Sequence, residues 1–300
     1  MKIKKLADLA ESLKNRPPKR LVAVNAIDEH TIDAINEAVG AGIITALLTG
    51  DPEMIRKTCA GLGIESEKFR IIPAYSEDEA ALKAVELISS GKADIMMKGL
   101  LSTDKYIRAI LNKDFGLLPP KGVLSHVTVV QSQSYHKLLI VGDVAIIPLP
   151  DLNQKIAITN YLIKTAHILG IENPKVGLLS ASEQTLPKIP SSAEAAIIAK
   201  MAQRGQIKGA IVEGPLGFDM IIDRESALIK GVDSPVCGDA DCILFPNIEA
   251  GNTFYKTIIK LLKSELGAIV MGARVPCVLT SRGDGERSKL YSIALAAMLA

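Results

Sequence analysis

Val275-Pro276-Cys277-Val278-Leu279-Thr280-Ser281-Arg282-Gly283-Asp284-Gly285-Glu286-Arg287-Ser288 is the stretch from which the fold can be read. Its first five residues are apolar and partly β-branched, which predicts a buried strand. Beyond it Leu290, Ile293, Ala294, Ala297 and Met298 recur at helical spacing, which predicts a closing helix over about 284–300. Between them a hydroxyl, a guanidinium and a carboxylate (Ser281, Arg282 and Asp284) sit in a glycine-broken loop. In open α/β sheets the crevice beyond the carboxyl ends of the strands is where ligands bind. A helix N-terminus at that edge favours an anion, because its first N–H groups are unpaired and its dipole end is positive. The loop is therefore expected to hold a phosphate beside a reacting acyl group.

Working outward, the first hundred or so residues alternate apolar strands and amphipathic helices. Ile3, Leu6, Leu9 and Leu13 predict a small helix over Lys2 to Lys14, ended by Arg16-Pro17-Pro18. Strands are expected at 21–24, 43–49, 69–72 and 94–97. Asp28, Asp51-Pro52 and the box Ser76-Glu77-Asp78-Glu79 start the intervening helices. This alternation predicts a parallel sheet with helices on both faces. The middle differs: 122–131 and 137–147 read as antiparallel strands, and Pro148-Leu149-Pro150-Asp151 marks the neighbourhood of a domain change. A second alternating half follows, with strands at 176–179, 210–212, 242–245 and 275–279. Its helices are expected at 156–169, from a box at Ser191 to Gln203, at 224–230, and from about Asn252 to Leu266. No repeat or flexible Gly/Ser linker separates the halves, so a cleft between them is the expected ligand site.

Hydrophobic residues make up 48% of the 300, enough for a sizeable core. A net charge of +2 is too balanced for a nucleic-acid surface, and 4% aromatics with no Trp give no base-stacking platform. Cys59, Cys237, Cys242 and Cys277 form no C-x-x-C pair, which predicts free buried thiols. Lys2, Lys4 and Lys5 are followed by no uninterrupted apolar run, and no stretch reaches membrane-span length. A soluble, cytoplasmic protein is expected.

Three further strand-to-helix loops carry polar groups. Lys98-Gly99-Leu100-Leu101-Ser102-Thr103 offers a glycine for close backbone approach and two hydroxyls at a helix start; it reads as a phosphate cradle or as a plain helix cap. In Pro246-Asn247-Ile248-Glu249-Ala250-Gly251-Asn252, the polar residues Asn247, Glu249 and Asn252 either line the cleft or serve a turn. Glu213-Gly214-Pro215-Leu216-Gly217-Phe218-Asp219 fits no dinucleotide or P-loop fingerprint. His126 lies in the antiparallel segment. His30, His136 and His167 have no companions at metal spacing, so no metal site is expected.

Taken together, Met97-Lys98-Gly99-Leu100, Ser125-His126-Val127, Glu213 to Leu216 with Asp219, and Asp239-Ala240-Asp241 resemble a known family. So do Phe245 to Asn252 with Tyr255-Lys256, and Leu279 to Arg282 with Ser292-Ile293-Ala294. The chain is similar to the phosphate acetyl/butyryltransferase family, most of all its short butyryltransferase branch, with phosphate acetyltransferase the second choice. The resemblance implies a two-domain α/β/α fold like that of isocitrate and isopropylmalate dehydrogenases. It comprises mainly parallel sheets with an antiparallel segment, and an active site in the interdomain cleft. Domain one is expected over 1–126 and 284–300, and domain two over 127–283. The resemblance further implies a homodimer or higher homo-oligomer that binds no nucleic acid or membrane. Its reaction takes acyl-CoA and phosphate to acyl phosphate and CoA. These are substrates; no permanently bound cofactor or metal is expected.

The residue chemistry gives each candidate a role. Arg282 makes a forked contact with phosphate, and Ser102 and Thr103, with Lys98 and Gly99, complete that site. Ser281 donates to the thioester oxygen as charge develops, or to the leaving sulfur. Asp284 is the candidate base toward the CoA thiol in the reverse direction, with Glu286 beside it. His126, Asn247, Glu249 and Asn252 are expected to bind substrate. Direct transfer is expected rather than an acyl-serine. A decarboxylating 2-hydroxyacid dehydrogenase is the rival, with Asp219, Asp239 and Asp241 as its carboxylates. A non-enzymatic acyl-CoA sensor is the third reading.

Overall fold

The computed structural model describes residues 2–280 and 286–300. The chain forms two compact units. The first comprises Ala7–Leu124 and Gly267–Ala300; the second comprises Ser125–Leu266 with the N-terminal residues through Leu6. The sequence expectation kept all of 1–126 in the first half and returned the chain to it at 284. In the structure the return comes at Gly267, and Ile3 lies in the second unit, where its amide donates to the Leu169 carbonyl at 2.9 Å. Helix α1 accordingly begins only at Asp8 and runs Asp8–Leu13.

The first unit alternates as expected. Strands β1 (Lys19–Val24), β2 (Ile44–Gly50), β3 (Arg70–Pro73) and β4 (Ile95–Lys98) are separated by α2 (Glu29–Gly40), α3 (Pro52–Gly61) and α4 (Glu77–Ser89). Helix α5 (Thr103–Leu111) follows β4. All the pairings among these strands are parallel, in the order β3-β2-β1-β4. Leu21 to Val24 are fully buried, as a continuous apolar run covered on both faces requires. Asp28, Asp51, Ser76 and Ser102 cap the four helices through their side chains.

The second unit opens with β5 (Ser125–Gln131) antiparallel to β6 (Leu139–Gly142), the antiparallel segment expected from sequence. Helix α6 (Leu152–Ile168), β7 (Lys175–Leu179), α7 (Pro190–Gln203), β8 (Ile211–Leu216), the short α8 (Phe218–Ile222) and α9 (Arg224–Ile229), β9 (Cys242–Leu244) and α10 (Ile248–Lys260) follow. The strand order is β5-β6-β9-β7-β8, parallel from β6 onward. Pro148–Asp151 is not a boundary between units, because Ser125–Leu266 runs through it within one unit; Asp151 caps α6 in a capping box with Gln154. Helix α7 starts at Pro190 rather than at a serine box. Proline suits a first helical position because its missing N–H has no partner there. Ser192 instead bridges the preceding loop, donating to Gln184 and accepting from Leu186, both at 2.7 Å.

Helix α10 starts four residues earlier than its spacing suggests and ends at Lys260. Lys263, at φ 51°, turns the chain into β10 (Glu265–Met271), which sequence spacing did not reveal. A short run buried throughout has no polar face to betray its period. Strand β10 pairs antiparallel with β11 (Cys277–Val278), and β11 lies parallel beside β4. Helix α11 (Glu286–Leu299) closes the first unit. It approaches β10 so closely that a Cβ on Gly267 would stand 3.1 Å from the Tyr291 backbone. The Ser292 hydroxyl accepts from the Ala268 amide at 2.8 Å.

Candidate active site

From β1 the chain of the first unit moves outward to β2 and β3, then returns to β4 on the other side of β1. The carboxyl ends of β1 and β4 thus flank a reversal of strand order, where open α/β sheets leave a crevice. Lys98 ends β4 there, half-buried, with Nζ donating to the Gly99 carbonyl at 3.2 Å. Gly99 lies against the end of β1: a Cβ would fall 2.5 Å and 2.6 Å from the carbonyl oxygens of Val24 and Asn25. No side chain fits, so glycine is required by close approach rather than by φ. The Gly99 amide donates to Val24 and the Leu100 amide to Asn25, each at 2.9 Å. Leu101 is buried below, and Ser102 and Thr103 are exposed at the start of α5. The Ser102 hydroxyl accepts from the Lys105 amide at 3.2 Å.

The four helices that follow β1 to β4 begin at this carboxyl edge, and they are electrostatically unequal. Asp28 and Asp51 place a carboxylate on the α2 and α3 termini, and Glu77, Asp78 and Glu79 crowd the first turn of α4. Helix α5 alone of the four has both a neutral cap and a single acid in its first turn, and that acid, Asp104, is paired with Arg108 at 3.0 Å. Among these four, an incoming anion meets least repulsion at α5, with Lys98 at the same strand end.

Strand β11 runs parallel beside β4, with Cys277 opposite Met96 and Val278 opposite Met97. It therefore delivers Leu279 and Thr280 to the edge where Lys98 and Gly99 lie. Ser281, Arg282 and Asp284 follow directly in the chain and fall outside the described residues. Burial pushes the Cys277 thiol in β11 up to about 12, against a lowering contact from Tyr106, so it stays protonated. All four cysteines are free and buried, as expected.

The remaining candidates gather at one edge of the second unit, at the carboxyl ends of β6 and β9. His126 is buried, its Nδ1 3.2 Å from the Thr128 hydroxyl and its ring edge-on to Tyr255 at 6.2 Å. Asn247 caps α10 by accepting from the Ala250 amide at 2.9 Å, and Asn252 donates to the Val144 carbonyl at 3.1 Å. Glu249 is exposed on the first turn of α10. Sequence reasoning missed the residue that organises this edge. Asp143 is 2% exposed and its carboxylate accepts from the amides of His126, Ala145, Ile146 and Ile147. The signal was an acid directly after an apolar strand and before a proline-bounded turn. Asn25, also missed, left a weaker sign as an asparagine at a strand end.

The acids of the dehydrogenase reading do not converge. Asp219 lies in the first turn of α8 and pairs with Lys230 at 2.6 Å. Asp239 and Asp241 lie before the amino end of β9, where Lys137 pairs with both at 2.8 Å. Partial burial raises the Asp239 carboxyl, but hydrogen bonds from Lys137, Lys175 and His136 outweigh it and hold the group well below the usual carboxylate range. No helix among the described residues is long and apolar enough to cross a membrane.

A family model described as Phosphate acetyl/butaryl transferase matches residues 74–297. The chain belongs to the phosphate acetyl/butyryl transferase family. It is 43% identical over 298 residues to phosphate butyryltransferase from Clostridium acetobutylicum, covering 99% of each chain. It is 37% identical over 300 residues to phosphate acetyltransferase from Thermotoga maritima, covering 100% of each. The solved branched-chain phosphotransacylase from Enterococcus faecalis V583 superposes with a TM-score of 0.81 at 27% identity, over 94% of this chain and 98% of that one. Every site candidate read from the sequence, from Lys98 to Asp284, falls within the family match.

Proposed function

We propose that this member of the family moves a short acyl group, butyryl foremost, reversibly between coenzyme A and inorganic phosphate by direct transfer. One observation carries the phosphate half of the reading. Of the helices that follow β1 to β4, α5 has the least acidic start and stands at the strand-order reversal, and β11 ends at the same edge with Ser281 and Arg282 next in the chain. Phosphate is held there by the α5 first turn, Ser102, Thr103 and Lys98, with the forked guanidinium of Arg282. Both groups come from neighbouring strand ends, so the nucleophilic oxygen is oriented before attack. Ser281 donates to the thioester oxygen as it gains charge, and Asp284 takes the thiol proton in the reverse direction.

His126, Asn247, Glu249 and Asn252 are assigned to substrate binding, with exposed Glu249 the most accessible. The fold is assigned to the isocitrate and isopropylmalate dehydrogenase-like class, and the working form to a cytoplasmic homodimer without a resident cofactor. Identity of 43% to a butyryltransferase against 37% to an acetyltransferase supports butyryl over acetyl.

The deciding experiment follows thiol release from butyryl-CoA with and without inorganic phosphate, and then with acetyl-CoA. Phosphate-dependent release, faster with butyryl-CoA, is expected. Binding without turnover would make the chain a sensor, and NAD⁺ reduction with a 2-hydroxyacid would make it a dehydrogenase. Arg282→Ala is expected to raise the KM for phosphate and lower turnover. Unchanged kinetics in that variant would remove Arg282 from the site.

A further inference from the structure

We infer that Asn25 is a positioning residue that clamps the Lys98–Leu101 segment in the shape that presents the α5 start to phosphate. The inference rests on the functional reading above for its ligand. Asn25 lies one residue beyond β1 at φ 52°, a left-handed backbone that asparagine tolerates and most side chains do not. It is 8% exposed. Both polar groups of the Leu100 residue end on it. The Leu100 amide donates to the Asn25 carbonyl at 2.9 Å, and the Asn25 Nδ2 donates to the Leu100 carbonyl. A carbonyl only accepts, so the amide nitrogen of Asn25 must face it.

The clamp is anchored behind as well as in front. The Asn25 backbone N–H donates to the Thr49 hydroxyl at 3.2 Å, and that buried hydroxyl stands within reach of the Ala23 and Ala80 carbonyls at 3.1 Å and 3.0 Å. The β1 end, β2 and α4 thus fix Asn25, and Asn25 fixes Leu100. The Leu100 side chain is 41% exposed and gives the loop little apolar anchorage of its own. Two residues later Ser102 starts α5, so a displaced Leu100 peptide displaces the phosphate-facing amides and hydroxyls. Asn25 acts through that loop and touches no substrate.

Asn25→Gly is the discriminating variant, because glycine keeps the left-handed backbone and deletes only the side-chain bond. Expected are a KM for inorganic phosphate raised about tenfold, a KM for butyryl-CoA within about twofold, and a Tm within about 3 °C of the parent. Amide hydrogen exchange at Leu100 and Leu101, read without any substrate, should accelerate. Asn25→Asp, which sets an acceptor against the Leu100 carbonyl, should raise the phosphate KM further. Unchanged exchange in Asn25→Gly would overturn the clamp. Faster exchange with both KM values and the Tm worsening together would reduce Asn25 to a fold-stabilising residue and overturn the inference. If the parent protein released no thiol with phosphate, the functional reading would fail, while the exchange measurement would still decide the clamp.

Discussion

Two loops of this chain look alike on the page and behave differently in the fold. Lys98–Thr103 and Asn247–Asn252 each follow a short apolar strand, carry a glycine among polar residues and open a helix. In the second loop the two asparagines bond to the local backbone, while Glu249 is exposed. Asn247 caps α10, Asn252 holds the Val144 carbonyl, and Gly251 lets the helix ride on the turn after β6, where a Cβ would stand 2.2 Å from the Asp143 oxygen. In the first loop the glycine also serves close packing, yet Ser102 and Thr103 remain exposed at the helix start. Polarity at a strand end is thus no measure of availability. The backbone bonds around it decide what is left for a ligand.

The sharpest way to break this contrast is steric. Gly251→Ala forces a methyl into the Asp143 carbonyl and should cost about 3 kcal/mol of stability, measured by urea unfolding. A loss below about 1 kcal/mol would mean that the α10 contact yields easily and that its polar residues are less committed than they look.

A subtler comparison removes one cap from each loop. Ser102→Ala and Asn247→Ala should each cost about 1 kcal/mol, since both delete an N-cap. Only Ser102→Ala should also raise the phosphate KM, by about fivefold for one lost hydrogen bond. Equal phosphate KM values in the two variants would erase the distinction.

The smallest effect is expected at the opposite, amino-terminal edge of the second unit. The folded Asp239 carboxyl is held below its unfolded value of about 4, so its contribution is complete above that pH and is lost as pH falls further. Its side chain is 42% exposed, so screening limits that contribution to about 1 kcal/mol. Asp239→Asn should therefore lower the Tm slightly at pH 7 and flatten its decline between about pH 4 and pH 2. A parallel decline in both proteins would show that other carboxyls govern acid unfolding.

Much of the fold was legible because its signals are local. Asp28, Asp51, Ser76 and Ser102 each cap a helix through atoms two or three residues away, so the cap needs no distant partner. The β5–β6 antiparallel pair announced itself by β-branched runs without helical spacing. Strand β10 did not, because Leu266 to Met271 are all buried and lack a periodic polar face. The Ser191 box failed for a different reason: Pro190 was the better first residue, and Ser192 found partners in the loop before it. At the candidate site, Lys98, Gly99, Ser102 and Thr103 were legible as a strand-to-helix loop with glycine and hydroxyls. Asp143 and Asn25 were not, since a buried acid and a left-handed asparagine carry no distinctive spacing.

The sequence by itself determined the alternation of strands and helices, the neutral cap of α5 and the family, because each is written in residue order and short spacings. Only tertiary structure decided that β11 stands beside β4, that Gly99 lies against the β1 carbonyls, and that Asn247 and Asn252 each bond to the backbone. Strand neighbours and hydrogen-bond partners far apart in the chain are chosen by how buried polar groups are satisfied together, and that choice leaves no local mark.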